Sequence, residues 1–132
     1  MSGKPVAKEG DQVVGNDTHI VMVVTPTGPV PTPMPFPFAG KFREKLSETV
    51  FIDGKAVALE GSIAKNEPEH MPMGGMFQKQ PTNEAKVERA SAVLLLDGRG
   101  VVRAGDIATT CNDPVDLPTG TVIAEGTVIL GD

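Results

Sequence analysis

The sequence is poor in aromatic residues, with five Phe, no Trp and no Tyr, which together make up 4% of the chain. Aromatic side chains usually supply much of the apolar area that a core buries. The core must therefore be built from Val, Ile, Leu and Ala, and β-branched residues of this kind favour strands. We expect an all-β chain without long helices, whose small core needs stabilisation beyond the burial of apolar area.

Other absences exclude several classes of protein. The single cysteine, Cys111, rules out an internal disulfide framework. The 12 basic residues are scattered among 17 acidic ones, and this balance argues against nucleic acid or an anionic membrane as the partner. No apolar run approaches the roughly 20 residues of a membrane span. Residues 1–11 lack an apolar signal core, so we expect synthesis in the cytoplasm without a signal peptide.

Motifs of common enzymes are also missing. The chain has no Gly-rich phosphate loop after a strand, no G-x-S-x-G elbow and no HExxH. We therefore predict that the protein is not an enzyme, and a metal-dependent hydrolase is the least favoured function. With 132 residues, of which 15 are Gly and 12 are Pro, the chain is expected to form one domain, residues 1–132.

Residues 50–70, VFIDGKAVALEGSIAKNEPEH, have the pattern of a β-hairpin followed by a loop. Asp53 and Gly54 suit a type I′ turn, because both central positions of that turn need positive φ. The returning strand alternates polar and apolar residues and stops at Gly61. His70 follows nine residues later.

This unit occurs three times. Residues 3–19, GKPVAKEGDQVVGNDTH, align without gaps with residues 54–70, GKAVALEGSIAKNEPEH, and seven of the seventeen positions are identical. A third copy, GRGVVRAGDIATTC at residues 98–111, keeps the glycine spacing and ends in Cys111 on a shorter loop. Internal repeats of this kind indicate copies of one supersecondary unit packed around an axis.

A short apolar strand enters each unit, and its position predicts how the chain closes. TVFI precedes the second copy and AVLLL the third, whereas the first copy begins at the N-terminus. Residues 126–132, GTVILGD, have the same form, so we expect them to pair with residues 3–9 and to remove an exposed edge. The predicted repeats are therefore residues 3–19 with 126–132, 49–70 and 92–111, in a body with approximate threefold symmetry.

Inserts separate the repeats. Residues 25–40, TPTGPVPTPMPFPFAG, are expected to be an extended strap without interior strand pairing, or a ligand for a proline-reading partner. Residues 41–46 are expected to form one helical turn. Residues 71–89 are expected to be irregular, and residues 112–120 to form a loop that leads to the closing strand.

His19, His70 and Cys111 end the three copies, so a threefold arrangement brings them together near one pole. Imidazole and thiolate are the usual ligands of zinc, which prefers four donors in a tetrahedral site. We expect a structural metal site, because a metal would pin three loops of a small core. The fourth donor stays open among Asp17, Glu69, Met71, Asp113 and a water molecule.

Methionines follow His70 closely in the stretch HMPMGGM. Thioethers beside an imidazole suit Cu(I). The alternative function is therefore a small soluble protein that binds copper or zinc through His70 and the loop of Met71, Met73 and Met76. Methionines in a loop also fold inward and fill irregular gaps in the apolar core, and this interpretation is favoured over copper binding.

The three motifs GKPVAKEGD, GKAVALEGS and GRGVVRAGD, with His19, His70 and Cys111 behind them, resemble the PAAR and PAAR-like spike-tip proteins of contractile injection systems. The proline-rich stretch that follows His19 resembles an insert found in one branch of that family. The resemblance covers nearly the whole chain. The particle would be a type VI secretion system or a related extracellular contractile particle.

The resemblance implies a cone-shaped β body with a metal near its apex and a base that docks on a trimeric VgrG-like spike. The implied function is mechanical: the tip sharpens the spike, contacts the target membrane only transiently, and in some members carries effector cargo. His19, His70 and Cys111 carry over as metal ligands, with zinc first and iron or copper as other metals. In the family that the chain resembles, the zinc site consists of three His and one Cys, whereas this chain has only two His.

Overall fold

The computed structural model describes residues 3–131, and every regular element within that range is a β-strand. The thirteen strands of this range are β1 (Lys4–Pro5), β2 (Gln12–Thr25), β3 (Gly28–Glu44), β4 (Phe51–Ile52), β5 (Lys55–Ala56), β6 (Ile63–Asn66), β7 (Gly75–Phe77), β8 (Glu84–Val87), β9 (Leu95–Leu96), β10 (Arg99–Gly100), β11 (Ile107–Thr110), β12 (Leu117–Ile123) and β13 (Ile129–Leu130). Met1, Ser2 and Asp132, at the ends of the predicted domain and closing strand, lie outside the described residues. The same range contains no helix that could cross a membrane.

One large antiparallel sheet contains seven of these strands, in the order β12-β11-β8-β6-β3-β2-β7. β12 also pairs with β2, with Thr121 opposite Val14. The six strands from β12 to β2 therefore form a closed sheet. β7 pairs with the C-terminal half of β2, with Phe77 opposite Val21. The closure leaves few unpaired edges on a chain whose core is small.

Three two-stranded ladders stand beside this sheet: β4–β5, β9–β10 and β1–β13. The Asp-Gly turns of the first two have the predicted positive φ, with 52° and 78° at Asp53 and Gly54 and 54° and 76° at Asp97 and Gly98. The third ladder joins the two ends of the chain. The expected pairing of the C-terminal strand with the first copy is thus observed, over the residue pairs of β1 and β13.

A cycle of backbone hydrogen bonds links the segments that follow these ladders. The N–H of Ala58 donates to the carbonyl of Ala7 at 2.9 Å, and the N–H of Val102 donates to the carbonyl of Ala58 at 3.0 Å. The N–H of Ala7 then donates to the carbonyl of Val102 at 2.9 Å. All three residues are buried. Each segment therefore donates one backbone hydrogen bond to one neighbour and accepts one from the other, so the N–H and C=O groups of these three buried residues are all paired.

The proline-rich segment departs most from the prediction. It belongs to β3, which pairs with β2 through fourteen consecutive residue pairs, from Thr25↔Gly28 to Gln12↔Lys41. The expectation that residues 25–40 form a strap without interior strand pairing is therefore wrong.

The spacing of the prolines explains how the strand tolerates them. Prolines occupy every second position of the segment, at Pro29, Pro31, Pro33, Pro35 and Pro37. The turn between β2 and β3 has two residues, so Thr25 and Gly28 on either side of it form a hydrogen-bonded pair. Such pairs recur at every second position along the ladder. All five prolines fall at the intervening positions, whose N–H would point away from β2. The missing donors consequently break no bond of the β2–β3 ladder.

This placement gives a test. Replacing Thr32 with Pro is expected to lower the free energy of unfolding by about 2 kcal/mol or more, because Thr32 pairs with Val21 at a hydrogen-bonded position. The neighbouring change Pro33→Ala is expected to cost less than about 1 kcal/mol, because no ladder bond is lost. Urea unfolding of the two variants measures both values. Equal destabilisation by the two changes would contradict the inferred alternation.

Three further expectations are corrected. Residues 41–46 do not form a helical turn, because β3 continues to Glu44 and pairs there with β6. Residues 71–89 contain β7 and β8, and residues 112–120 contain the start of β12. In β8, Ala85 and Val87 are fully buried and alternate with more exposed residues. Such a four-residue alternation is too short to be separated from a loop by its pattern alone.

Two clusters form the core. The larger contains residues from all six strands of the closed part of the sheet, with Phe38 and Phe42 as its largest side chains. The smaller lies among the three two-stranded ladders and consists of Val6, Val57, Leu59 and Val101. The metal-site candidates lie in or beside the first cluster, because Cys111 belongs to it.

Candidate metal centre

Three segments bring the candidate ligands together. Asp17 and His19 lie two residues apart in β2, so their side chains point to the same face of the strand. Cys111 directly follows β11, and His70 lies four residues beyond the end of β6. All four residues are buried, with Asp17 0% and His70 7% exposed.

One ligand atom from each of Asp17, His19, His70 and Cys111 lies within 4.8 Å of the others. This buried group could hold a metal ion. The Oδ2 atom of Asp17 is the common neighbour, at 2.8 Å from His70 Nε2, 3.3 Å from Cys111 Sγ and 3.9 Å from His19 Nε2. The proximity that the repeats predicted for the two histidines and the cysteine is therefore observed.

His19 is the residue of this group whose ring nitrogens are left unused by the protein. Both of its ring nitrogens are buried, and neither makes a hydrogen bond. Its Nδ1 lies 3.5 Å from Oδ2 of Asp113, and that oxygen accepts the N–H of Ile20 at 2.9 Å. A carboxylate on one side of an imidazole is the usual partner of a histidine whose other nitrogen binds a metal. The Nε2 of His19 faces Asp17 and is thus available for an ion.

His70 is held by a network of amides. Asn66 Oδ1 accepts the N–H of Ala39, so Asn66 Nδ2 is the group that faces Nδ1 of His70 at 3.2 Å. The same Nδ2 donates to Asn83 Oδ1, which also accepts the backbone N–H of His70. Nδ1 of His70 is consequently an acceptor, and its Nε2 holds the proton that is donated to Asp17. Binding of an ion through Nε2 would require this proton to move and Asn66 to adjust.

Protonation differs among the remaining ligands. Burial lowers the pKa of His19, and the nearby His70 lowers it further, against the opposing effect of the carboxylates of Asp113 and Asp17. The His19 ring is therefore neutral and able to bind a metal at neutral pH. Burial, and then the negative charge of Asp17, raise the pKa of Cys111 to about 12. Without a metal the sulfur is thus a thiol, and it donates to Asp17.

Three of the five phenylalanines of the chain surround the two histidines. Phe36 contacts both rings, with centroid distances of 5.6 Å to His19 and 5.3 Å to His70. Phe77 packs on His19 and Phe38 on His70. This apolar wall keeps water away from the polar group and strengthens its electrostatic interactions.

The donor set fits a transition metal. Carboxylate, imidazole and thiolate are all established zinc ligands, at about 2.0–2.3 Å, which places the ligands of a tetrahedral ion roughly 3.3–3.8 Å apart. The 4.8 Å spread of the group would need to close by about one ångström. Asp17 would supply a fourth donor through Oδ2, and the hydroxyl of Thr110 donates to its other oxygen.

Of the other predicted donors, Asp113 faces Nδ1 of His19 and is not one of the four grouped residues, and the rest stand apart from the group. Glu69 is exposed. Met71, Met73 and Met76 are 73–75% exposed, whereas His70 is buried. The amides Asn66 and Asn83, which orient His70, were missed, because no spacing in a single sequence marks a buried amide as the partner of a histidine.

The fold and the site define an all-β protein with a buried group of two histidines, one cysteine and one aspartate that could hold a metal ion. In comparisons with known proteins, the chain matches no family model, no protein of curated function and no solved structure.

Proposed function

We propose that the protein is the metal-capped tip of the membrane-puncturing spike of a contractile injection system, as its resemblance to PAAR-like proteins implies. In this proposal it docks on a trimeric VgrG-like spike and has no catalytic activity. The observation that carries the proposal is the cycle of hydrogen bonds through Ala7, Ala58 and Val102. These three residues hold equivalent positions in the three sequence repeats.

The cycle supports a threefold arrangement because other backbone contacts link the three repeats in the same cyclic order. The isolated bridges Lys8↔Val57 and Leu59↔Val101, together with a third that returns to Val6, join the repeats in the same order. The turn glycines of the repeats, Gly10, Gly61 and Gly105, each donate an N–H to the carbonyl of a strand in the large sheet. Repetition of one bonding pattern three times is what three copies around an axis would produce.

The three two-stranded ladders offer a docking surface. Phe51 in β4 and Leu95 in β9 are each 56% exposed, and Ile129 in β13 is 52% exposed. They lie outside the small core cluster, at matching places in the three entering strands. Exposed apolar side chains that repeat three times suit a partner with three equal surfaces. Exposed main chain at this base could also extend the β-structure of the spike.

In this proposal the metal has a structural role. An ion bound by Asp17, His19, His70 and Cys111 would tie β2 to the segments after β6 and β11, and would thus stabilise a fold with few aromatic residues. Zinc is the proposed ion, with iron or copper as other occupants. The alternative of a metal-binding protein that uses the methionine loop has less support, because Met71 and Met73 point to solvent.

Co-expression with a trimeric spike protein tests the docking. The wild-type chain is expected to co-purify with the spike, and the triple variant Phe51→Asp, Leu95→Asp and Ile129→Asp to lose capture by about a hundredfold or more. The matched control is Ile107→Asp, since Ile107 is 51% exposed and lies in β11, away from the three ladders. Retention of the triple variant, or equal loss with Ile107→Asp, would contradict the proposed surface.

A further inference from the structure

The β2–β3 hairpin extends well past the metal-site candidates. His19 pairs with Met34, and six further residue pairs follow before the ladder ends at Thr25↔Gly28. At the usual rise of a strand, this extension is about 20 Å long. β7 flanks it through pairs with β2. We call residues 20–33 together with β7 the distal hairpin.

The distal hairpin carries no charge. The 12 basic and 17 acidic residues of the chain all lie outside residues 20–40 and 71–78. Its apolar side chains are nevertheless exposed, by 74% at Val24, 75% at Met76 and 44% at Val30. Val24 and Met76 line an apolar groove of about 440 Å³ with Met22, Pro29 and Phe77. On a soluble protein, an exposed apolar surface of this kind marks a site that contacts a partner protein or a membrane.

The free edge of β3 shows which kind of partner fits. Between residues 29 and 37 its outer N–H positions are occupied by prolines, and the strands that pair with β3 are β2 and, from Gly40 onward, β6. A strand from another protein would find no donors along this edge. Conversely, a lipid phase penalises every unpaired backbone polar group. The prolines remove the outward N–H groups of this edge and leave only its carbonyls, which water can still bond in the interfacial region. The edge is therefore poorly suited to strand addition and comparatively well suited to contact with lipid.

We propose that the distal hairpin inserts into the interfacial region of a lipid bilayer through Val24, Val30 and Met76. The absence of charge favours a neutral, zwitterionic surface, because an apolar contact needs no counter-charge and is insensitive to salt. This inference goes beyond the proposed function, which requires only that the tip be driven mechanically. It concerns the free protein and does not depend on docking to a spike.

The absence of tryptophan provides a clean test. The full chain carrying Val24→Trp is mixed with phosphatidylcholine vesicles, with and without brominated acyl chains. The emission is expected to shift to the blue and to lose most of its intensity on brominated vesicles. The control Val93→Trp replaces an equally exposed valine, 73% accessible, outside the distal hairpin, and its emission is expected to stay unchanged. An unchanged Val24→Trp emission would overturn the proposal.

Vesicle flotation of charged variants supplies a second measurement. The double variant Val24→Asp and Met76→Asp is expected to partition about tenfold or more weakly than the wild type, because it places carboxylates in the apolar contact. Val93→Asp is expected to partition as the wild type does. Equal loss in both variants would overturn the proposal. So would a Val24→Trp emission shift that depends on protein concentration in the absence of vesicles, because that result identifies a second copy of the chain as the occupant.

Discussion

Loading the metal-free protein with zinc is expected to raise its melting temperature by about 15 °C when free zinc exceeds the dissociation constant about a thousandfold. Binding to the folded state alone contributes about 4 kcal/mol under that condition. A chain of this length shifts by about 4 °C for each kcal/mol. Calorimetry with a chelator-buffered zinc concentration measures the shift, and elemental analysis is expected to find one ion per chain.

His19→Ala is the sharpest variant for this prediction. Neither ring nitrogen of His19 makes a hydrogen bond, and Asp113, which faces Nδ1, keeps the N–H of Ile20 as a donor. Removal of the ring therefore breaks no hydrogen bond, unlike a change at Asp17, which accepts bonds from His70, Thr110 and Cys111. Zinc affinity is expected to fall by more than about a hundredfold, since losing even an outer partner of a ligand costs about ten- to a hundredfold.

The double variant Met71→Ala and Met73→Ala is the control. These side chains are exposed and stand apart from the buried group, so metal retention is expected. Comparing the melting temperatures of the metal-free forms removes any cost of the cavity at position 19. Zinc binding that survives His19→Ala, or that is lost with the two methionines, would assign the ion to another site.

The pH dependence of zinc binding follows from the thiol. Cys111 holds its proton in the metal-free protein, because its pKa is raised to about 12, whereas zinc binds the thiolate. Binding at neutral pH must release that proton, so the apparent affinity is expected to rise by about tenfold per pH unit. Competition titrations at several pH values test this dependence. An affinity independent of pH would show that Cys111 is not a ligand.

The parts of this structure that were predicted from the sequence depend on local rules or on the repeat. Asp53 and Gly54 form their turn because positive φ is a property of those two residue types. His19 and His70 were singled out because the first two repeats align them, and Cys111 because it ends the third repeat on a shorter loop. Asp17 was only one of several possible fourth donors, since ranking carboxylates requires distances. Its position two residues before His19 in a strand was the one available signal, because alternate residues share a face.

The prediction for residues 25–40 failed for a specific physical reason. Proline cannot donate to a ladder, but each residue of a strand presents its N–H to one edge only. Prolines at every second position therefore leave the opposite edge intact, and β3 pairs fully along it. The period of two was visible in the sequence and would have favoured a strand. In β8 the same period covers only four residues, too few to predict a strand, and its place depends on its pairing with β6 and β11.

Phe42→Ala is expected to lower the free energy of unfolding by about 3–5 kcal/mol, a large share of the 5–15 kcal/mol that a domain usually has. Phe42 is fully buried in the larger core cluster. Its backbone also joins β3 to the first repeat, because its N–H donates to Asp11 and its carbonyl accepts from Gly10.

The control for Phe42→Ala is Phe51→Ala, since Phe51 is 56% exposed and its truncation is expected to cost less than about 1 kcal/mol. Urea unfolding of metal-free and zinc-loaded forms links this prediction to the metal. A stabilisation of about 4 kcal/mol by zinc would roughly offset the loss at Phe42. The metal-free variant should therefore be close to unfolding, while the loaded variant remains folded. Equal destabilisation by the two alanine changes would contradict the core assignment, and failure of zinc to restore the variant would contradict a stabilising role for the ion.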